Sequence, residues 1–147
     1  MRVLVIHGPN LNMLGERETG IYGTVTLDEI NRRIEERAEE LGAEVEFFQT
    51  NHEGDALDKL ATARREFSGV LINPAAWTHT SVALRDAIAA TGLPAVEVHL
   101  SNVYKREPFR HVSYTAPVCL GQVAGFGPDS YLLGLDGLIR HLRRQRA

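Results

Sequence analysis

Glu97 and His99 stand two residues apart in the apolar run Ala95-Val96-Glu97-Val98-His99-Leu100. On a strand, that spacing turns both side chains to the same face. A carboxylate beside an imidazole raises its basicity and fixes its orientation. The pair therefore fits a proton donor with its orienting partner. A structural ion pair at a strand end fits the same two residues. Directly after them, the Ser101 hydroxyl and the amides that follow Leu100 offer donors for a carboxylate or a phosphate. Arg106 and Arg110 are four apart, so they share a face if that segment is helical. The other reading of the two is an exposed basic turn.

The second group of reactive residues lies in a long loop, residues 6–23, with the sequence IHGPNLNMLGERETGIYG. A loop of this length in a compact domain is functional or disordered. Its tyrosine, methionine and leucines argue against disorder. Arg17 and Tyr22 are the groups on it that could do chemistry. A free tyrosine, with a pKa of ~10, is a poor base at neutral pH. Lowering that by about three units takes roughly 4 kcal/mol of preferential phenolate stabilisation. Arginine suits this because it stays charged in nearly any site. Arg17 lies on the same loop, and Arg106 could approach from the other rim. A tyrosine that only packs the loop against the core is the competing account.

Five strand-like runs must position these groups: residues 2–7, 44–49, 69–73, 95–100 and 121–125. They are short, apolar and valine-rich, as in a parallel sheet covered on both faces. Four helix-like runs alternate with them. The first starts at Thr26 with Glu29 three residues on, a capping box. It carries Leu27, Ile30, Ile34, Ala38 and Leu41 at helical spacing, and Gly42 supplies a left-handed stop. The second spans about 55–67 and buries Ala56, Leu57, Leu60 and Ala61. The third spans about 81–90, with Gly92 and Pro94 beyond it, and the last about 129–144. The pattern predicts an α/β, flavodoxin-like three-layer sandwich with a five-stranded parallel sheet in the order 2-1-3-4-5. In such sheets, ligands bind beyond the carboxyl ends of the strands near the switch point. That edge gathers His7, Asn10, Asn12, Arg17 and Tyr22 after the first strand. It gathers Asn73 and His79 after the third, and Glu97, His99 and Ser101 at the fourth.

Several chemistries are excluded. The chain has neither a P-loop nor a dinucleotide-binding glycine turn, and no nucleophile elbow. Its six histidines form no zinc spacing. The two lysines, Lys59 and Lys105, lie in no apolar setting suited to Schiff-base work. With 147 residues, the chain fits one domain, residues 1–147. Its net charge of −3 gives no pull toward nucleic acid or an anionic membrane. No apolar run approaches the roughly 20 residues needed to span a bilayer. The chain opens on a core strand, which predicts no signal peptide. The single cysteine, Cys119, rules out an internal disulfide and fits a reducing, cytoplasmic setting as a buried, inert thiol. On the residues alone, a non-catalytic binding module for a nucleotide or anionic metabolite also accounts for the loop and the arginines.

Three long runs decide further. GPNLNMLGERETGIYG, INPAAWTHTSVALRDA and VEVHLSNVYKREPFR, in that order, closely resemble the type II 3-dehydroquinate dehydratases. The likeness covers essentially the whole chain, including the segment around Tyr131-Leu132-Leu133. One departure is Thr19, where the family commonly has proline; it touches loop stiffness, not the chemical groups. The resemblance implies dehydration of 3-dehydroquinate to 3-dehydroshikimate through an enolate, without metal or cofactor, in the shikimate pathway or in quinate breakdown. It implies that Tyr22 is the base, that Arg17 and Arg106 stabilise its phenolate, and that Asn10 holds a water at the enolate oxygen. His99, oriented by Glu97, becomes the acid. Asn73, the Leu100 and Ser101 amides and the Ser101 hydroxyl grip the substrate carboxylate and nearby oxygens, while His79 and Arg110 bind ring hydroxyls. The resemblance also implies a homododecamer, a tetramer of trimers, in which Asp86 reaches a neighbouring subunit's site.

Overall fold

The computed structural model describes residues 1–16 and 19–146, with the backbone alone at Thr19 and Tyr22. Five parallel strands, β1 (Arg2–His7), β2 (Glu44–Gln49), β3 (Gly69–Asn73), β4 (Ala95–His99) and β5 (Gly121–Ala124), form one sheet in the order β2-β1-β3-β4-β5. The expected order and the first three strands are as read from the sequence. β4 and β5 each end one residue earlier than expected, because Leu100 and Gly125 already turn into the loops that follow.

The strand period of two divides the core. Val3, Val5, Leu71, Val96 and Val98 face α2 (Leu27–Glu40) and α5 (Asp129–Arg146). Leu4, Ile6, Val70, Ile72 and Ala95 face α3 (Glu53–Glu66) and α4 (Val82–Thr91). Thr26 caps α2 by accepting the Glu29 N–H at 3.2 Å. The Glu29 carboxylate does not complete the box, because it pairs with Arg33 at 3.0 Å. Gly42, at φ +71°, ends that helix as expected. In α3 the buried small residue is Ala63, not Ala61; Ala56 and Leu60 are buried as anticipated. Arg37 holds Asp136 through two hydrogen bonds, 2.8 and 3.1 Å, and ties α2 to α5.

Gly134 lets α5 lie close on the sheet. A Cβ there would stand 2.7 Å from Val98 Cγ1 and 3.0 Å from Leu71 Cδ1. Both of those side chains are fully buried. Gly134→Ala gains about 1 kcal/mol of helix propensity but overpacks the core by about 1–3 kcal/mol. We expect a net loss of stability on the order of 1 kcal/mol. Urea unfolding checks this, and an equal or higher midpoint would contradict the close-packing account.

The described part of the loop after β1 contains two short elements that the sequence pattern does not signal. It holds a 3-10 turn, Leu11–Met13, and a short helix α1, Thr19–Tyr22. Leu11 and Leu14 are buried against the α2/α5 side of the core. The root of the loop is tied to the end of β2: Asn51 Oδ1 accepts the Asn10 N–H at 2.9 Å, and Gln49 Nε2 donates to the Gly8 carbonyl at 3.2 Å. Arg17 lies outside the described residues, as do the side chains of Tyr22 and Thr19.

Candidate functional site

The strand register brings the polar residues to one edge. His7 of β1 is level with Asn73 of β3, and Ile72 is level with Glu97 of β4. His99 therefore ends β4 just beyond Asn73. A cleft of about 120 Å³ opens there. Asn10 and Leu11 line one wall from the β1 loop, and Asn73 and His79 line it from the segment after β3. His99, Leu100 and Ser101 form the floor at the end of β4. Arg106 and Arg110 close the side. Eight of the predicted site residues thus meet in one place, although up to 100 positions separate them in the chain.

Arg106 and Arg110 do not share a helix face. They sit at two separate 3-10 turns, Val103–Lys105 and Pro108–Arg110, with Arg106 just past the first. The Pro108 ring breaks any continuous helix between them. Both still reach the cleft, and Glu107 partners both, at 3.8 Å from Arg106 and 2.9 Å from Arg110. Asp86 is exposed on α4 and is not part of the cleft lining.

The Glu97–His99 pair is real and buried. Glu97 Oε2 accepts from His99 Nε2 at 2.9 Å, with Glu97 fully buried and His99 6% exposed. Two hydroxyls that the sequence reading missed complete the carboxylate's cradle. Ser113 Oγ donates to it at 3.0 and 3.1 Å, and Thr115 Oγ1 donates to Oε1. Burial alone would push the Glu97 carboxyl up, but the bond to His99, its charge and the two hydroxyls outweigh burial. The carboxyl is held below the usual carboxylate range. Glu97 is thus an anion inside the core. With Nε2–H committed to Glu97, His99 has Nδ1 left for the cleft. No local pattern signals Ser113 and Thr115: they lie 16 and 18 residues away in irregular chain.

Behind this pair lies a second cavity of about 330 Å³, lined by Glu97, His99, Ser113, Gln122 and His111 among others. His79 stacks on His99, with ring centroids 6.5 Å apart and planes within 19°. Its Nδ1–H donates to the Val112 carbonyl at 2.8 Å, leaving Nε2 free to face a ligand. Burial holds the His79 imidazole below its ordinary value despite that bond, and the charges of His99 and Arg110 add to the effect. Cys119 is half-buried, and burial with the charge of Glu97 pushes its thiol up to about 12. This agrees with an inert thiol.

On the opposite face of the sheet, His7 is fully buried between α2 and α5. Its Nε2 meets Asn31 Oδ1 at 2.7 Å and its Nδ1 meets the Tyr131 hydroxyl at 2.9 Å. Tyr131 Oη in turn accepts from Asn73 Nδ2 at 3.0 Å. Burial lowers His7 to about 4, although the Asn31 bond opposes this. Stability therefore falls on acidification. Above the unfolded value of about 6.5 both states hold His7 neutral, and as pH drops toward 4 only the unfolded chain takes up the proton. That term amounts to about 3 kcal/mol. His7→Gln should lose less stability than the wild type between pH 7 and pH 4 in urea titrations; equal losses would show that His7 does not carry the term.

Among the described residues, no group of His, Cys, Asp and Glu could hold a metal ion, and no helix is long and apolar enough to cross a membrane.

Residues 1–139 match the family model described as dehydroquinase class II. A 3-dehydroquinate dehydratase of Geotalea daltonii is 59% identical over 144 residues, which is 98% of this chain and 100% of the relative. One from Acaryochloris marina is 58% identical, covering 97% of this chain and 96% of that protein. The crystal structure of type II dehydroquinase from Butyrivibrio crossotus superposes with a TM-score of 0.92 at 46% identity, covering 94% of this chain and 97% of that one. The fold is thus that of the type II dehydroquinases.

Proposed function

The chain belongs to the class II dehydroquinases, and from that premise we propose that it converts 3-dehydroquinate to 3-dehydroshikimate and water. The observation that carries the reading is the buried Glu97–His99 pair at the floor of a cleft walled by Asn73, Ser101, Arg106 and Arg110. Loss of water from a β-hydroxy ketone needs a base at the carbon beside the carbonyl. It also needs an acid at the departing hydroxyl and a stabiliser for the enolate oxygen. His99 suits the acid: Nδ1 is the ring nitrogen left for the cleft, and the Glu97 carboxylate holds Nε2 and so fixes the ring's orientation.

In this reading Tyr22 removes the proton, with Arg17 and Arg106 stabilising its phenolate. Asn10 holds a water at the enolate oxygen. The electron pair of the broken C–H bond forms the enolate and then the carbon–carbon double bond, as the hydroxyl departs with the proton from His99. Asn73, the Leu100 and Ser101 amides and the Ser101 hydroxyl hold the substrate carboxylate and nearby oxygens. His79 and Arg110 take ring hydroxyls. No metal or cofactor takes part. Residues 1–147 act as a single domain, in a homododecamer of four trimers where the exposed Asp86 reaches a neighbouring site. The partner is a small molecule, with no role for nucleic acid or membrane. A single, hindered thiol accords with a cytoplasmic setting.

Purified protein mixed with 3-dehydroquinate at neutral pH should develop the absorbance of a conjugated enone carboxylate. Retention of the compound without that signal would instead mark a binding module. Borohydride added with substrate should leave the activity intact, since an enolate offers no imine to reduce; inactivation would refute the route. A scattering mass tests the assembly.

A further inference from the structure

Asn73, a polar wall residue of the cleft, is held by hydrogen bonds from within the core on the α2/α5 side, and those bonds run in one direction. Its Oδ1 accepts the Ala75 N–H at 3.1 Å, across Pro74. This is an Asx-type turn, and it settles which end of the amide carries the oxygen. Nδ2 therefore points to Tyr131 Oη, 3.0 Å away. That oxygen accepts from Asn73, so its own proton goes to His7 Nδ1 at 2.9 Å. His7 must then carry its proton on Nε2, which meets Asn31 Oδ1 at 2.7 Å. Every heavy atom along this line is a good distance from its partner. His7 and Tyr131 are fully buried and Asn73 is 3% exposed, so the Asn73–Tyr131 and Tyr131–His7 bonds are shielded from solvent, while the bond to Asn31 is part-buried. Only Asn73 reaches the cleft; His7 and Tyr131 are not among its lining residues.

We propose that His7 and Tyr131 are positioning residues that set the Asn73 amide in one orientation, so that it presents its second N–H to the cleft as a donor for an anionic oxygen of the substrate. The inference rests on the dehydratase reading only for the identity of that oxygen, a substrate carboxylate. An amide has two N–H groups, and Tyr131 uses one. A flipped amide would turn an oxygen toward the Tyr131 oxygen and lose the Ala75 bond. It would offer the cleft an acceptor that repels an anion. Three residues on β1, β3 and α5 thus determine whether the cleft wall attracts or repels a carboxylate.

A grip on the carboxylate acts equally in the bound substrate and in the transition state, so its loss raises KM and spares kcat. Steady-state kinetics with 3-dehydroquinate should be measured for the wild type, Tyr131→Phe, Asn73→Ala and the double variant. Tyr131→Phe should raise KM about tenfold with kcat within about threefold. In the Asn73→Ala background it should add less than about twofold, since its effect passes through Asn73. An equal factor in both backgrounds, or a lowered unfolding midpoint with unchanged KM, would overturn the proposal. Absence of wild-type turnover would instead count against the dehydratase reading. The 15N spectrum of the unaltered protein gives a test that needs neither turnover nor a folded variant. It should show a neutral His7 ring protonated at Nε2, and protonation at Nδ1 would reverse the line of bonds and overturn the proposal.

Discussion

Tyr22→Phe is expected to lower kcat by about 10³-fold or more while 3-dehydroquinate still binds. The substitution deletes one oxygen, the atom assigned to take the proton from carbon. General-base contributions are on the order of 10²–10⁴ in rate. The upper part of that range applies because the two imidazoles lining the cleft have other tasks: His99 is paired with Glu97 as the proposed acid, His79 is stacked on it and bonded to the Val112 carbonyl, and Asn10, Asn73 and Ser101 do not titrate. Binding should survive, since the proposed carboxylate grip uses Asn73 at the end of β3 and Ser101 just past β4, not the short helix Thr19–Tyr22. Single-turnover kinetics combined with calorimetric titration separate the two effects. Residual turnover above a tenth of the wild type would remove Tyr22 from the role. Arg17→Lys gives a weaker companion, because a point charge replaces the planar fork.

His99→Ala is the second large effect, with an expected loss of about 10²–10⁴ in kcat. Without the imidazole the hydroxyl must leave unassisted, and the buried Glu97 anion loses the partner that offsets its burial. Breaking a buried pair by removing one member is strongly destabilising, by about 3–5 kcal/mol. The unfolding midpoint should therefore fall together with kcat. Glu97→Gln separates the two contributions. Its amide keeps the shape and one acceptor oxygen but removes the negative charge that meets His99 Nε2. It should lower kcat by about 10²-fold with a smaller loss of stability. If Glu97→Gln retained full turnover, Glu97 would be a structural anion held by Ser113 and Thr115 rather than an orienting partner.

The groups around His99 and Asn73 are divided between the two faces of the sheet. Glu97, His99 and His79 lie on the α3/α4 side, where Ser113 and Thr115 satisfy the carboxylate. Asn73 is held from the α2/α5 side through Tyr131 and His7. Adjacent strand residues point to opposite faces, so the carboxyl edge of a single sheet can present proton-transfer groups from one layer and a substrate grip from the other.

The five strands, the four longer helices, their parallel order and the gathering of Asn73, His99, Ser101 and the two arginines at one edge were legible in the chain. These follow from signals that are local or periodic. Alternation of valine-rich runs with capped helices fixes the layering, and the spacing of Glu97 and His99 places both on one face. The three family runs suggest the roles that are proposed for these residues. What the tertiary structure alone decided are contacts between residues remote in sequence. Ser113 and Thr115 on Glu97, Asn31 on His7 and Tyr131 on Asn73 belong to no motif, because each needs two elements to dock before the bond exists. The same reason explains the smaller differences. Packing buries Ala63 in place of Ala61, and the carboxylate of Glu29 prefers a nearby arginine to its own helix cap. Pro108 divides Arg106 from Arg110 into separate turns, yet both arginines line the cleft at the end of β4. A hydrogen bond between side chains is worth about 1 kcal/mol and depends on geometry at a scale of tenths of an ångström. That geometry is set by the packed core, so it can be read only after the fold has brought the partners together.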